Sequence, residues 1–248
     1  MKKLIPLILS LLSVVVVVIH AAAVLTFLQT TSDTTDQTTY NFIAVPIGPA
    51  AADRCVVVTI AARRASATET TITSVTIAGN AAIIQGQNSF VESGADSVVG
   101  VASLIVTTGT TADISVTYSG TMVRNLISVS NLTGAGCTTI ADVEISEIDD
   151  PSVALDIPAG GAAFGICLGS ISAATATWIG LTERHDAIIE SLTIVTGGSL
   201  AFSTIQTGLT VGCTLSTSTS GETGIFVSFS EASAAGVVVS PIIGGGIF

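Results

Sequence analysis

The chain has 248 residues, of which 48% are hydrophobic but only 4% aromatic and 10% charged, and its formal net charge is −11. Globular domains usually carry about 25% charged residues, so much of this surface must consist of hydroxyls, small apolar groups or contacts with other protein. The few basic residues are two N-terminal lysines and scattered arginines. Nucleic acid binding is therefore excluded, because a run of phosphates requires clustered cations.

The first 28 residues are MKKLIPLILSLLSVVVVVIHAAAVLTFL, a basic start followed by an apolar run. Lys2 and Lys3, the run that follows and the small residues at 21–23 are typical of a secretory signal. The same run is long enough to span a bilayer. Burial against other protein as an assembly arm is the alternative. We therefore expect a hydrophobic N-terminal segment at residues 1–31, with a membrane as one partner through residues 4–28.

The polar stretch at residues 30–39, TTSDTTDQTT, predicts a linker or an extended edge segment. Short apolar segments separated by turn residues follow, as in a sandwich. The predicted strands are 40–45, 55–62, 70–77, 81–85, 98–107, 113–118, 122–130, 153–157, 162–168, 176–179, 187–194, 200–205, 209–216 and 225–230. Residues 113–118 alternate apolar with polar, as a half-buried strand does. Residues 55–62 are nearly all apolar, which predicts a central strand buried on both faces.

The same succession of segments occurs twice. FIAVPIGPAAADRCVVVTIAARR at Phe42–Arg64 is echoed by VALDIPAGGAAFGICLGS at Val153–Ser170. This internal similarity predicts an all-β fold, an antiparallel β-sandwich of jelly-roll type, built from two diverged repeats at about 38–131 and 150–231. The sandwich would occupy residues 32–231, with 134–150 as an acidic connector. The apolar tail at 232–248 is either a second assembly arm or a final strand.

Glu183, Arg184, His185 and Asp186 form the densest ionisable cluster that includes a histidine. A histidine beside a carboxylate can act as a base, but the chain contains no G-x-S-x-G nucleophile elbow. We therefore predict no catalytic residue and no cofactor, and expect Arg184 to pair with a nearby acid in a loop. Arg184 and His185 remain candidates for ligand or interface contacts.

Five acids in the connector are candidate calcium ligands, since calcium prefers several carboxylate oxygens. They are Asp142, Glu144, Glu147, Asp149 and Asp150. Their spacing does not match an EF-hand loop, and Asp142 to Ile145 alternates as a strand does. A solvated acidic edge that discourages edge pairing is the favoured interpretation.

The remaining candidates are cations, an aromatic and cysteines. Arg63 and Arg64 end a predicted strand and are candidates for an interface or an acidic sugar, or for simple solvation. Trp178 is a candidate for stacking on a sugar or for core packing.

Four cysteines, Cys55, Cys137, Cys167 and Cys213, lack metal-ligand spacing. Buried free thiols are the favoured prediction, and two disulfides with three possible pairings are the alternative.

Several of these segments resemble uncharacterised β-rich structural proteins of tailed bacteriophages and prophages. The motifs are FLQTTSDTTDQTTYNFIAVPIG from Phe27, AADR at 51–54, ITSVTIAGNAA at 72–82 and TWIGLTERHD at 177–186. The resemblance spans roughly residues 24–231. It implies a virion component of the tail-fibre, spike or decoration type and carries over no catalytic residue.

Taken together, these patterns lead us to expect a non-enzymatic virion protein that forms a homo-oligomer and contacts other virion proteins. A membrane-anchored or secreted filament subunit is the first alternative, and it would contact other filament proteins at an extracellular location. A module that binds a cell-surface glycan is the second alternative.

Overall fold

The structure is a computed structural model that describes residues 23–92, 94–169, 175–189, 193–216 and 222–231. Most of the predicted hydrophobic N-terminal segment and the apolar tail at 232–248 lie outside these residues. No helix capable of crossing a membrane occurs within the described ranges. The chain there forms strands joined by short turns, which confirms the predicted all-β class.

Seventeen strands are formed over the described ranges. They are β1 Val24–Asp33, β2 Gln37–Pro46, β3 Cys55–Arg64, β4 Ile72–Ile77, β5 Asn80–Ala81, β6 Ile83–Glu92, β7 Ala95–Ile105, β8 Thr111–Met122, β9 Arg124–Thr133, β10 Ala135–Ser146, β11 Ser152–Ile157, β12 Ala162–Gly169, β13 Ala176–Ile179, β14 Thr182–Ile188, β15 Ile194–Ala201, β16 Gln206–Leu215 and β17 Thr223–Glu231.

All the strand pairs are antiparallel and form four sheets. Sheet A has the order β1-β9-β3-β7-β6, and sheet B the order β2-β8-β4-β5. Sheet C has the order β10-β17-β12-β15-β14, and sheet D the order β11-β16-β13. The order of sheet C repeats that of sheet A, and the order of sheet D repeats that of sheet B without β5.

The sheets stack in the sequence B, A, C, D, and an apolar layer fills each of the three gaps. Strand β3 shows how one segment serves two layers. Val56, Val58 and Ile60 belong to the core between sheets A and B, whereas Val57 and Ala61 belong to the core between sheets A and C. Successive side chains of a strand point to opposite faces, so a strand between two cores must be apolar at every position. This confirms the prediction of a central strand buried on both faces.

Strand β12 occupies the same place in the second half. Phe164 and Ile166 face sheet A, and Ala163 and Cys167 face sheet D. The two halves are therefore joined through the broad faces of their larger sheets.

A disulfide and polar contacts reinforce this junction. Cys55 at the start of β3 is bonded to Cys137 near the start of β10, while Cys167 and Cys213 are free and buried. Two of the four cysteines are thus buried free thiols, as the favoured prediction had all four, and the other two form a disulfide, as in the alternative. The backbone N–H of Gly134 donates to Asp53, and Asn88 donates to both Glu147 and Thr223.

Some strand predictions were wrong. The supposed connector contains the long edge strand β10. The expectation of an extended edge segment at 30–39 is confirmed, because this stretch belongs to the edge strands β1 and β2 and the turn between them. Residues 182–188, expected to be a loop leading into a strand at 187–194, are themselves strand β14. The next strand runs over Ile194–Ala201 instead of 200–205.

Candidate functional site

The candidate site with the most chemistry lies between sheets A and C, where β14 faces β9. The Ser128 hydroxyl and His185 Nε2 are 2.6 Å apart, and the ring of Phe27 stacks on the imidazole with centroids 6.0 Å apart. Strand pairing places Gly197 behind the imidazole, and a Cβ atom at this position would collide with His185. The glycine is thus required for the close approach of the ring to its own sheet.

Burial determines the electrostatics of the pair. It lowers the pKa of His185 from 6.5 to about 4, although Asp186 and the backbone of Val195 favour the charged ring. Nδ1 is buried and has no partner with good hydrogen-bond geometry among the described residues. The imidazole is therefore neutral at pH 7, with one nitrogen bonded to Ser128.

A serine bonded to a neutral histidine is the first part of a nucleophilic triad, but the surroundings do not suit acyl transfer. A triad requires a group that orients the other ring nitrogen. Asp186, the adjacent acid, instead accepts the backbone N–H of Ala176. The cavity beside the pair measures about 10 Å³, room for one water molecule at most. The geometry is that of a hydrogen bond joining two sheets.

Arg184 and Trp178 also make internal contacts. The Arg184 guanidinium donates to the Ser199 hydroxyl at 2.9 Å and to its carbonyl at 3.1 Å, in place of the ion pair expected from the sequence. Trp178 donates to the Thr196 hydroxyl at 2.7 Å and packs edge-on against Phe226. Its half-buried ring lies against Gly198 and bridges sheets C and D.

Arg63 and Arg64 lie at the end of β3. Arg64 donates to the Thr70 hydroxyl at 3.1 Å and to the Thr68 carbonyl, which fastens the following loop. Arg63 is paired in register with Arg124, and burial together with that neighbouring cation lowers its pKa. Both arginines thus contribute to the structure of this end of the sheet.

The five acids proposed as calcium ligands act separately. Asp142 accepts the N–H groups of Val143 and Asp156, and Glu147 accepts from Asn88. Asp150 accepts the N–H of Leu215. Over the described part of the chain, no three acidic, histidine or cysteine residues are placed to share a metal ion. Asp142 and Glu144 lie on the edge strand β10, where the acidic-edge interpretation puts them.

Sequence reasoning missed a residue with four side-chain hydrogen bonds. Arg54 is completely buried and donates to four backbone carbonyls: Gly48 at 2.6 Å, Val106 at 2.6 Å, Thr108 at 2.5 Å and Gly109 at 2.8 Å. The sequence feature that could have indicated its role is AADR at 51–54, which places a single charged residue in the turn between two predicted strands. Its charged residue was assigned no contact, because the acceptors lie mostly some 50 residues away.

A shallow cleft of about 660 Å³ lies on the outer face of sheet B. Asn41, Ser115 and Thr76 form a row across β2, β8 and β4 at its floor. Ala44 and Ala78 border it with φ of 52° and 53°, a left-handed conformation that alanine rarely adopts. Asp113 holds both, since its carboxylate accepts the Ala44 N–H and its carbonyl accepts the Ala78 N–H.

Comparison of the chain with protein-family models, curated proteins and solved structures found no match.

Proposed function

We propose that the protein is a non-enzymatic structural component of a virion, of the tail-fibre, spike or decoration type, that self-assembles into a homo-oligomer. The observation that carries the proposal is the fusion of two matching sandwiches into one four-layered body. Such a body is rigid, because its central strands are buried on both faces. The cavity at the serine–histidine pair is too small for a substrate. A rigid body with such a site is better suited to be a structural subunit than a catalyst.

Each half is, in this proposal, a diverged jelly roll, and the two arose by duplication of about residues 38–131 and 150–231. The support is the strand order. Sheet A contains β1-β9-β3-β7 and faces β2-β8-β4-β5, which is the order of two interlocked Greek keys. Jelly rolls build both viral capsids and lectins. Fold alone does not decide between these functions, so the argument for assembly rests on the surface.

That surface exposes large apolar side chains. Ile43, Ile148 and Ile188 are 70%, 60% and 50% exposed, respectively, and others lie along the sheet edges. Burying an isoleucine contributes roughly 1.5–3 kcal/mol relative to exposing it, so contacts between copies are the simplest use of these positions. The domain division that goes with this proposal is an N-terminal arm that ends where β1 begins at Val24 instead of at residue 31, the two stacked sandwiches up to residue 231, and an apolar arm at 232–248.

Analytical ultracentrifugation and electron microscopy of the full chain in mild detergent test the assembly. We expect a closed homo-oligomer, which Ile43→Glu should weaken or dissociate. Thr214→Ala, an exposed change on sheet D, is the matched control and should leave the mass unchanged. A full-length chain that stays monomeric at tens of micromolar would exclude the proposal.

The alternative of an anchored or secreted surface subunit is favoured by the Cys55–Cys137 disulfide. Disulfides persist outside the reducing cytosol, at cell and virion surfaces. Mass spectrometry of the native N-terminus separates the alternatives. An intact Met1 in a membrane-free particle supports the virion component, and a mature start near Val24 supports the secreted subunit.

A glycan-binding role is favoured by the cleft on sheet B. Its hydroxyl, amide and carboxylate groups match the hydrogen bonding of an uncharged sugar, and strained residues such as Ala44 and Ala78 tend to cluster at functional sites. Titration with maltohexaose, cellohexaose and mannohexaose tests this role. Asn41→Ala should weaken binding about tenfold by loss of a hydrogen bond, and Thr214→Ala should not. If none of the three sugars binds, this role is dropped.

A further inference from the structure

Both ends of the described chain emerge at one end of the molecule. Val24 is paired with Thr133, and two residues further along Ala135 is paired with Glu231. Paired Cα atoms lie about 5 Å apart and two residues span about 7 Å, so Val24 and Glu231 are within roughly 17 Å of each other. We call this whole end of the molecule the arm pole. It includes Ala23, residues 133–135, Pro158–Gly161 and Glu231, and the ends of the other strands on the same side. The apolar segments at 1–22 and 232–248 both depart from it.

The arm pole also exposes apolar side chains. Val24, Ile83, Ile105 and Ile205 are 62%, 44%, 47% and 69% exposed, and each lies at the end of a strand on this side. The nearby carboxylates of Asp53 and Asp156 accept backbone N–H groups of Gly134 and Gly208. Both carboxylates are exposed, so this surface combines apolar side chains with hydrogen-bonded acids and the polar turns at 107–110 and 203–204.

The opposite end is acidic. Asp36, Glu69, Glu147, Asp149 and Asp150 are exposed in the turns there. We call it the acidic pole. The acidic pole therefore holds more exposed acids than the arm pole, where Asp53 and Asp156 are exposed. Exposed apolar side chains occur at both ends, since Ile148 and Ile188 lie toward the acidic pole. An anionic lipid surface would repel the acidic pole and leave the arm pole facing it.

The residues that precede the arm pole have the composition of a membrane span. Residues 4–22 contain no Asp, Glu, Lys or Arg, and Lys2 and Lys3 come directly before them. Nineteen residues at 1.5 Å each would extend about 28 Å as a helix, close to the roughly 30 Å of bilayer hydrocarbon. The tail at 236–248 is too short for a span.

No spacer separates this segment from the sandwich. The Ala23 N–H donates to the Gly160 carbonyl at 3.2 Å, and β1 begins at the next residue. Because the sandwich is attached this closely, its arm pole must contact the surface of any membrane that the segment enters. We propose that the arm pole is a membrane-docking surface, seated on a lipid bilayer that residues 4–22 enter. This inference rests on the anchored-subunit alternative of the proposed function, in which the N-terminal segment enters a membrane instead of packing as an assembly arm. The proposed assembly can fail while docking holds.

Depth-dependent quenching tests the orientation. The full chain, verified by mass as starting at Met1, is labelled with bimane at Ile205→Cys on the arm pole or at Ile148→Cys near the acidic pole. The native cysteines are buried or bonded, so the label reports one position. The labelled protein is reconstituted into vesicles of 80% phosphatidylcholine with brominated acyl chains and 20% phosphatidylglycerol.

We expect the label at position 205 to be strongly quenched and the label at 148 to keep its intensity. Val15→Asp with Val17→Asp should abolish flotation of the protein with the vesicles. Equal quenching at both positions, no quenching at 205, or unchanged flotation of the double variant would overturn the proposal. A blue shift at 205 without quenching would indicate contact with a second copy and would also overturn it. The oligomer mass in detergent is measured separately, so failure of assembly and failure of docking are distinguishable.

Discussion

Arg54 is the residue whose environment most constrains its replacement. Burial lowers the pKa of the guanidinium, but arginine starts so high that it stays charged at neutral pH. Its hydrogen bonds compensate for the buried charge by satisfying four carbonyls in the turns at 46–54 and 106–110. A single side chain thus fixes two turns at the arm pole.

Replacing Arg54 with Met should therefore be costly although the two side chains have similar length. The bond to the Val106 carbonyl is buried and the other three are partly buried, so water can replace some of the lost hydrogen bonds. Each carbonyl left unsatisfied costs about 1–3 kcal/mol, and we expect the free energy of unfolding to fall by about 3 kcal/mol. Urea unfolding at pH 7 measures it. Arg64→Met is the control and should cost less than about 1 kcal/mol, because that side chain is half-buried and makes few hydrogen bonds. Similar losses in the two variants would contradict the assignment.

His185 predicts a pH dependence of stability. The folded ring has a pKa of about 4 against 6.5 when unfolded, so between these values the unfolded chain binds more protons. Stability is therefore fully present above pH 6.5 and declines as the pH falls towards 4, by up to about 3 kcal/mol. Urea unfolding at pH 7 and 4.5 should show a smaller decline in His185→Asn, in which the carboxylates are unchanged. Equal declines would show that His185 is not the group responsible.

At the scale of elements, the disulfide between β3 and β10 closes a long loop. Its cysteines are 82 residues apart, which corresponds to about 4 kcal/mol of stabilisation in the chain-entropy account. Cys55→Ala with Cys137→Ala should lose about that amount, and reductant should destabilise the native chain but not this double variant. An effect of reductant on the double variant, in which only Cys167 and Cys213 remain, would contradict the prediction.

The strands that the sequence predicted best are those between two cores. Residues 55–62 and 162–168 are apolar at nearly every position, and the structure buries both on two faces. The edge strand β10 was predicted only in part, because the alternation at 142–145 indicated an acidic edge while residues 135–141 were assigned to a connector. Strand β15 was misplaced because the prediction left residues 195–199 between two strands. Gly197 and Gly198, which lie there, are in-strand glycines that admit the rings of His185 and Trp178.

The candidate site was less predictable than the fold, because its members are distant in sequence. Ser128 and His185 are 57 residues apart and belong to different halves. Nothing local to either residue predicts the pair, which depends on how sheet C packs on sheet A. The acceptors of Arg54 could not be predicted either, because three of the four are more than 50 residues away in the sequence. Periodicity predicts which face of a strand is buried, but it does not predict which strand lies opposite.

At the scale of the whole molecule, the shared layer between sheets A and C makes the two sandwiches interdependent. Val57, Val101, Phe164 and Val227 are buried there, and separating the halves would expose all of them to water. The apolar area lost would cost each half its stability, at roughly 25 cal/mol per Å². The body should therefore unfold as one cooperative unit.

The chain provides a probe for each half with which to check this cooperativity. Its only tryptophan, Trp178, lies in the second sandwich, and its only tyrosines, Tyr40 and Tyr118, pack edge to face in the first. Urea curves followed by tryptophan fluorescence and by the near-ultraviolet tyrosine signal should coincide. Ile77→Ala, a change in the core of the first sandwich, should cost about 2–5 kcal/mol and move the Trp178 curve by the same amount. A Trp178 curve that stays in place would mean that the sandwiches fold independently, with the layer between them acting only as a weak contact.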